Sequence, residues 1–261
     1  MDAHTRQSLI EINRRFYADF AGSFASTRRR IQPGVRGLLA RLPDAGSWLD
    51  LGCGSGWLAV EWLRAGRKSA YLGLDFSAGL LAEAQDQIAQ EAGEKDAAGV
   101  SFREADLSRA AWSEGFEPGS FRGALCFAVL HHLPGAEQRR AFLNEAAGLL
   151  EAGGMFAFSV WQFQNSPRLR ARQVEWERVG LHDADLEEGD ALLDWRQDPG
   201  REPGLRYVHR FTPDELARLA AQSGFSVREQ FESDGHGGNL SLYQVWQKDV
   251  RVAADSAGPR G

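Results

Sequence analysis

The stretch Leu49-Asp50-Leu51-Gly52-Cys53-Gly54-Ser55-Gly56 decides how this chain folds. A short apolar run ending in a glycine cluster reads as a buried strand that turns sharply, and glycines there let a ligand approach the backbone closely. Working outward, the element types alternate. Ser47 to Leu51 reads as a strand and Trp57 to Ala65 as a helix, with Leu58, Trp62 and Leu63 at helical spacing. Ala70 to Asp75 is a second strand, and Ser77 to Gln90 a second helix with Ser77 as its N-cap. Val100 to Asp106 and Gly123 to Leu130 read as further strands. Ala136 to Leu150 is an amphipathic helix that Gly153-Gly154 is expected to end, and Met155 to Trp161 is a fifth strand. Strands alternating with helices imply an α/β fold with a doubly wound, mainly parallel sheet.

The flanks read differently. Residues 1–46 carry Ile10, Ile12, Phe16, Tyr17, Phe20 and Phe24 at roughly helical spacing, which predicts an N-terminal helical cap. The first thirty residues hold six arginines against Asp2, Glu11 and Asp19, a local net of +3. Residues 47–161 form the α/β core just described. Residues 162–211 break the pattern, with an acidic run from His182 to Asp190 and a Gly/Pro-rich stretch from Asp198 to Gly204. An irregular insertion of this length is commonly functional, so a lid over an acceptor site is expected there. Order resumes at Thr212, where Thr-Pro-Asp-Glu-Leu is an N-cap, a proline at N1 and acids in the first turn. Within 212–247 that helix precedes two alternating segments, Phe225 to Ser233 and Leu240 to Gln247, and 248–261 reads as a loose tail.

Bulk properties bound the chemistry. The 261 residues are 43% hydrophobic and 25% charged, ordinary for a globular chain. No apolar run reaches the roughly 18 residues of a membrane span, and no signal peptide opens the chain. The two cysteines, Cys53 and Cys126, form no CxxC pair, so neither a metal site nor a disulfide framework is expected, and a reduced cytoplasmic setting fits. The net charge of −6 argues against non-specific coating of nucleic acid, though not against a local basic site. Only three of the 30 basic residues are lysines, a usage that points to a GC-rich genome more than to chemistry.

The glycine loop admits competing ligands. A dinucleotide fingerprint is G-x-G-x-x-G, whose last glycine allows close helix packing against the strand. Here Trp57 stands at that position, and Asp50 would repel a pyrophosphate but attract an ammonium group. Asp75 closes the second strand 19 residues after Gly56, where a carboxylate can accept both ribose hydroxyls. Asp106 closes the third, where an acceptor can meet an adenine amino group. Ammonium, ribose and adenine without phosphate describe S-adenosylmethionine. A nicotinamide-dependent oxidoreductase and a nucleoside-binding module without catalysis are the alternatives.

The motifs DLGCGSG, GLDFS, EADL, AVLHHLPG and LLEAGG resemble those of the class I S-adenosylmethionine-dependent methyltransferases, over about residues 10–247. The resemblance implies a Rossmann-like, seven-stranded sheet whose last strand is antiparallel, with N-terminal helices and an insertion after the fifth strand. It also implies site roles. Gly52, Gly54 and Gly56 would line the methionine end of the cofactor near Asp50, and Asp75 would hold the ribose. Phe76 and Leu107 would flank the adenine, Asp106 would bond its amino group, and Phe127 would lie near the sulfonium. A narrower set is similar to the tRNA wobble-uridine carboxymethyl methyltransferases: Phe24 to Arg28, the AVLHHL run with Arg139-Arg140, Val160-Trp161, Gln164, and Arg206 to His209. Ser55, Trp57 and Gln32-Pro33 depart from that family's pattern.

Methyl transfer is an in-line displacement at carbon, so the enzyme mainly orients its two substrates and excludes water. A carboxylate acceptor needs no base, whereas a neutral hydroxyl or amine does. His131 and His132 are candidates for the acceptor side, or one packs beneath the next helix while the other caps a carbonyl. His209 is a candidate lid residue. Arg28 is a candidate clamp for an anionic group, because a guanidinium fork matches a carboxylate; Arg29 and Arg30 read as a solvated helix end. Trp161 walls an acceptor pocket or belongs to the core. The expected activity is transfer to an anionic, carboxylate acceptor such as a modified tRNA wobble uridine. A small-molecule O or N acceptor remains the alternative, and the reading leaves room for a small partner protein.

Overall fold

The computed structural model describes residues 1–27, 30–91, 99–196 and 203–250, with the backbone alone for residues 20–27. In chain order it contains α1 (Ala3–Thr27), α2 (Pro33–Leu39), β1 (Ser47–Leu51), α3 (Trp57–Arg64), β2 (Ala70–Asp75), α4 (Ala78–Glu91), β3 (Val100–Glu104), β4 (Phe121–Phe127), α5 (Ala136–Leu149) and β5 (Leu150–Trp161). There follow α6 (Pro167–Arg170), β6 (Gln173–Val174), β7 (Asp190–Trp195), β8 (Gly204–His209), α7 (Pro213–Gln222), β9 (Phe225–Ser233) and β10 (Ser241–Lys248). The main sheet has seven strands in the order β3-β2-β1-β4-β5-β10-β9, and β10 runs antiparallel to both its neighbours. This is the expected α/β architecture, doubly wound about β1 and β4.

Strand alternation builds the two faces. Leu49, Leu51, Leu74, Phe156 and Phe158 pack under α5 and α7, against Phe142, Leu143, Leu216 and Leu219. Trp48, Tyr71, Leu125, Ala157 and Tyr243 point the other way, against Val35 and Leu38 of α2 and Leu58 and Trp62 of α3. Asp50 shares parity with Trp48, so it lies on this second face.

The structure shifts several boundaries. Helix α5 ends at Leu149, and Gly153-Gly154 lie inside β5 rather than capping the helix. Phe121 pairs with Leu150 but Gly123 with Met155, so β5 carries a bulge that Gly153 absorbs at φ +75°. Strand β4 stops at Phe127 because Ala128 turns the chain at φ +59°, and the histidine pair follows in a single 3-10 turn, Leu130–His132. Strand β3 stops at Glu104, leaving Asp106 in the loop beyond it.

Residues 162–211 are more regular than their composition suggests. Strands β6, β7 and β8 form a separate three-stranded antiparallel sheet. Asp194, Arg206 and His209 occupy buried positions in it, and these charges hide the strand pattern. Helix α1 bridges this sheet to the core. Leu9 packs with Trp176, Leu181, Leu192 and Tyr207. The Asn13 side chain accepts from Tyr207 N (2.9 Å) and donates to Tyr207 O and His132 O (3.2 Å each), so it pairs with β8 much as a neighbouring strand would. Arg28 and residues 251–261 lie outside the described residues. Among the described residues, no helix is long and apolar enough to cross a membrane.

Candidate active site

The glycine loop folds over the end of β2. Gly52 and Cys53 both donate to Leu74 O, at 2.8 and 2.9 Å. Gly52 sits at φ +81°, and a Cβ there would come within 2.4 Å of Val129 Cγ2. Gly56 caps α3 at φ +80°, and a Cβ there would meet Ala84 of α4 at 2.7 Å. Both positions require glycine for conformation and for space.

Two carboxylates flank the loop. Asp75, 7% exposed, accepts from Gly54 N and Ser77 N, each at 3.0 Å. Burial raises its pKa, against the pull of these N–H groups. Asp50 is 3% exposed and accepts a short hydrogen bond from the Tyr71 hydroxyl. Burial, reinforced by the charge of Asp75 and opposed by the Tyr71 hydroxyl, pushes the Asp50 pKa up to about 7. Tyr71 is a site neighbour that sequence reasoning missed; it shares parity with Asp75, but nothing in Ala-Tyr-Leu-Gly-Leu-Asp marks it as more than a core aromatic.

Two cavities meet at this loop. The first, of about 260 Å³, is lined by Asp75, Phe76, Asp106, Leu107, Phe127 and His132, among others. The second, of about 270 Å³, is lined by Arg30, Gln32, Asp50, Ser159, Trp161 and Asp234. Gly52, Cys53, Phe127 and Ala128 line both. Gly54 lines the first cavity only, and Gly56 lines neither.

Helix α1 roofs the first cavity with one face, Ile10, Asn13, Arg14 and Tyr17, at i, i+3, i+4 and i+7. No described residue of 162–211 lines either cavity; the inserted sheet instead backs α1. Arg14 pairs with Asp106 Oδ2, while Oδ1 accepts from Ser108 N (3.0 Å) and Ser108 Oγ (2.6 Å). Tyr17 packs edge-on against Phe76 at 6.3 Å between ring centroids, and its hydroxyl lies 2.9 Å from His132 Nε2.

The candidate histidines separate. His132 lines the first cavity, and its Nδ1 lies 3.0 Å from Tyr207 O. A carbonyl only accepts, so Nδ1 carries the proton, and Nε2 accepts from Tyr17. His131 is fully buried, lines neither cavity, accepts from Trp161 N (3.3 Å) and stacks on the Trp161 ring at 5.3 Å. His209 is also withdrawn. It is 1% exposed in β8, with Nδ1 2.7 Å from Asp190 and Nε2 3.0 Å from Glu215. Arg139 of α5 joins the knot, 2.6 Å from Glu187 and 3.5 Å from Glu215. Among the described residues, Glu187, Asp190 and His209 bring ligand-type atoms within 4.8 Å of one another, but Arg139 supplies positive charge there. This knot ties the inserted sheet to α5 and α7 and lines neither cavity.

Residues 49–154 match the methyltransferase domain family. The chain carries a methyltransferase domain. The seven-stranded sheet places it in the class I fold, and the domain family and fold imply S-adenosylmethionine as cofactor. A SAM-dependent methyltransferase from Methanosarcina mazei superposes with a TM-score of 0.62 at 22% identity, covering 84% of this chain and 99% of that one. A tRNA (carboxymethyluridine(34)-5-O)-methyltransferase from Xenopus tropicalis is 32% identical over 148 residues, which is 57% of this chain and 20% of that protein. A putative methyltransferase from Encephalitozoon cuniculi is 27% identical over 235 residues, 90% of this chain and 94% of its own length. The chain thus spans about a fifth of the length of the Xenopus relative. With the cofactor family in place, the methyltransferase domain supplies the first cavity with its floor, and α1 supplies the roof.

Proposed function

We propose that this methyltransferase esterifies a carboxylate, and that the acceptor is a carboxymethyl group on a tRNA wobble uridine. The match to the tRNA carboxymethyluridine methyltransferase carries the choice of acceptor. The site chemistry agrees with it. His132, the histidine on the cavity wall, uses both ring nitrogens in hydrogen bonds, an arrangement suited to an acceptor that needs no deprotonation.

In this reading the adenosine half of the cofactor occupies the first cavity. Asp75 receives the ribose hydroxyls, Phe76 and Leu107 flank the adenine, and Asp106 accepts from its amino group once Arg14 yields. The amino-acid half enters the second cavity, with Asp50 facing the ammonium and Arg30 the carboxylate. The sulfonium then lies at the shared wall of Gly52, Phe127 and Ala128. The domain contributes orientation and exclusion of water, and the positively charged sulfur activates the methyl carbon. Helix α1, backed by the inserted sheet, acts as the lid that closes over the cofactor.

Two measurements test this. Replacing Asp75 with alanine is expected to weaken S-adenosylhomocysteine binding by roughly 1–3 kcal/mol, since a hydrogen bond to a buried charged group is lost. Calorimetry giving equal affinity in the variant would remove Asp75 from the ribose. For the acceptor, product formed with labelled cofactor and carboxymethylated tRNA should release methanol in mild base, as an ester does. A base-stable methyl group would end the carboxylate assignment. Turnover on tRNA should also fall as salt rises, because phosphate contacts made by the N-terminal arginines release counterions.

A further inference from the structure

We infer that Tyr71 is a positioning residue for the cofactor, holding the Asp50 carboxylate toward the second cavity to receive the cofactor's ammonium group. This rests on the cofactor reading above and goes beyond it. Asp50 lines the second cavity from the sheet side, and Tyr71 sits behind it on the neighbouring strand, fully buried between Trp62 and Phe102. In the strand register Trp48 faces Tyr71 and Asp50 faces Gly73, so the hydroxyl reaches Asp50 diagonally across the parallel pair. The contact fixes one carboxylate oxygen.

The surroundings make the charge on Asp50 costly until a cation arrives. Asp75 at the end of β2 adds negative charge, and the Cys53 and Cys126 thiols beside Asp50 are themselves pushed up by burial and by its charge. Across the cavity stand Arg30, which is exposed, and Asp234, whose carboxylate is taken by Gly34 N (3.0 Å) and the Tyr243 hydroxyl (2.5 Å). Burial holds the Asp50 pKa near 7, and the Tyr71 hydroxyl pulls the other way. An ammonium ion against Asp50 requires the ionised form, so binding strengthens as pH rises through that value. Losing the Tyr71 hydroxyl raises the Asp50 pKa further and moves the transition to higher pH.

The test compares S-adenosylhomocysteine with 5′-methylthioadenosine, which has the adenosine and thioether but no amino acid. Titration calorimetry between about pH 5.5 and 8.5 should show homocysteine-ligand affinity falling about tenfold per pH unit on the acid side, with methylthioadenosine affinity flat. In Tyr71→Phe, which keeps the ring packing, the midpoint should rise by about one unit or more. In Asp50→Asn the homocysteine profile should flatten. Parallel profiles for the two ligands in the unaltered protein, or an unmoved midpoint in Tyr71→Phe, overturn the inference. Failure of both ligands to bind overturns the cofactor reading itself, which separates the two.

Discussion

Replacing His209 with leucine is expected to lower stability by about 3–5 kcal/mol, because it removes the imidazole that bridges the Asp190 and Glu215 carboxylates, leaving Asp190 to the Tyr207 hydroxyl and Glu187 N–H and Glu215 to Arg139. For a chain of this size that corresponds to a fall in Tm of roughly 6–20 °C. The effect has a pH signature. Burial opposes the charge on His209, yet its hydrogen bonds to Asp190 and Glu215 outweigh it and raise the pKa above the ordinary 6.5. That contribution is fully present below 6.5 and is lost as pH rises through the raised folded-state value. Glu215 behaves oppositely. Burial works to raise it, but the hydrogen bond and charge of His209 and the charge of Arg139 hold it below its ordinary 4.5, so its contribution is lost as pH falls. The stability gap between the unaltered protein and His209→Leu should therefore be widest between 4.5 and 6.5 and narrow on the alkaline side. Urea unfolding inside that window and on its alkaline side measures it. A loss below about 1 kcal/mol in the acidic window would mean that the carboxylates are served by solvent.

Gly52→Ala should cost about 2–4 kcal/mol in cofactor binding and stability combined, from left-handed backbone strain and from overpacking against Val129. Val129→Ala in the same chain removes the clash but leaves the φ of +81°, so about half of the loss should return. S-adenosylhomocysteine affinity in Gly52→Ala within twofold of the unaltered protein would show that this turn does not cradle the ligand. Both changes act on the two features that set the site: the loop where the two cavities meet, and the knot that holds the sheet behind α1.

Much of this was legible along the chain because it depends on local rules. Alternating strand and helix periods, the glycines between Leu51 and Trp57, and Thr212 capping α7 through Glu215 N are short-range features. They were enough to predict a doubly wound sheet and to point to Asp50 and Asp75 as candidate ligand groups. The errors came where distant segments decide. Leu150 leaves the helix because it pairs with Phe121, a partner 29 residues earlier, and no propensity at Gly153 predicts that. The inserted sheet stayed hidden because Asp194, Arg206 and His209 are buried on its strands, where Arg172, the Trp161 ring and Asp190 from other segments meet their charges, so a buried strand reads as polar.

The histidines show the same division. In the sequence His131 and His132 are interchangeable candidates for the acceptor side, and His209 is a candidate lid residue. The tertiary structure separated them, because accessibility and partner identity are properties of packing. Only His132 reaches a cavity wall, and there a tyrosine from α1 and a carbonyl from β8 occupy it. The sequence by itself determined the α/β fold and pointed to the methyltransferase class, because alternating periods and the glycine spacing after β1 are local features. The tertiary structure alone decided that α1, and no described residue of the inserted segment, roofs the first cavity, since a roof is built by whichever segment the core leaves room for.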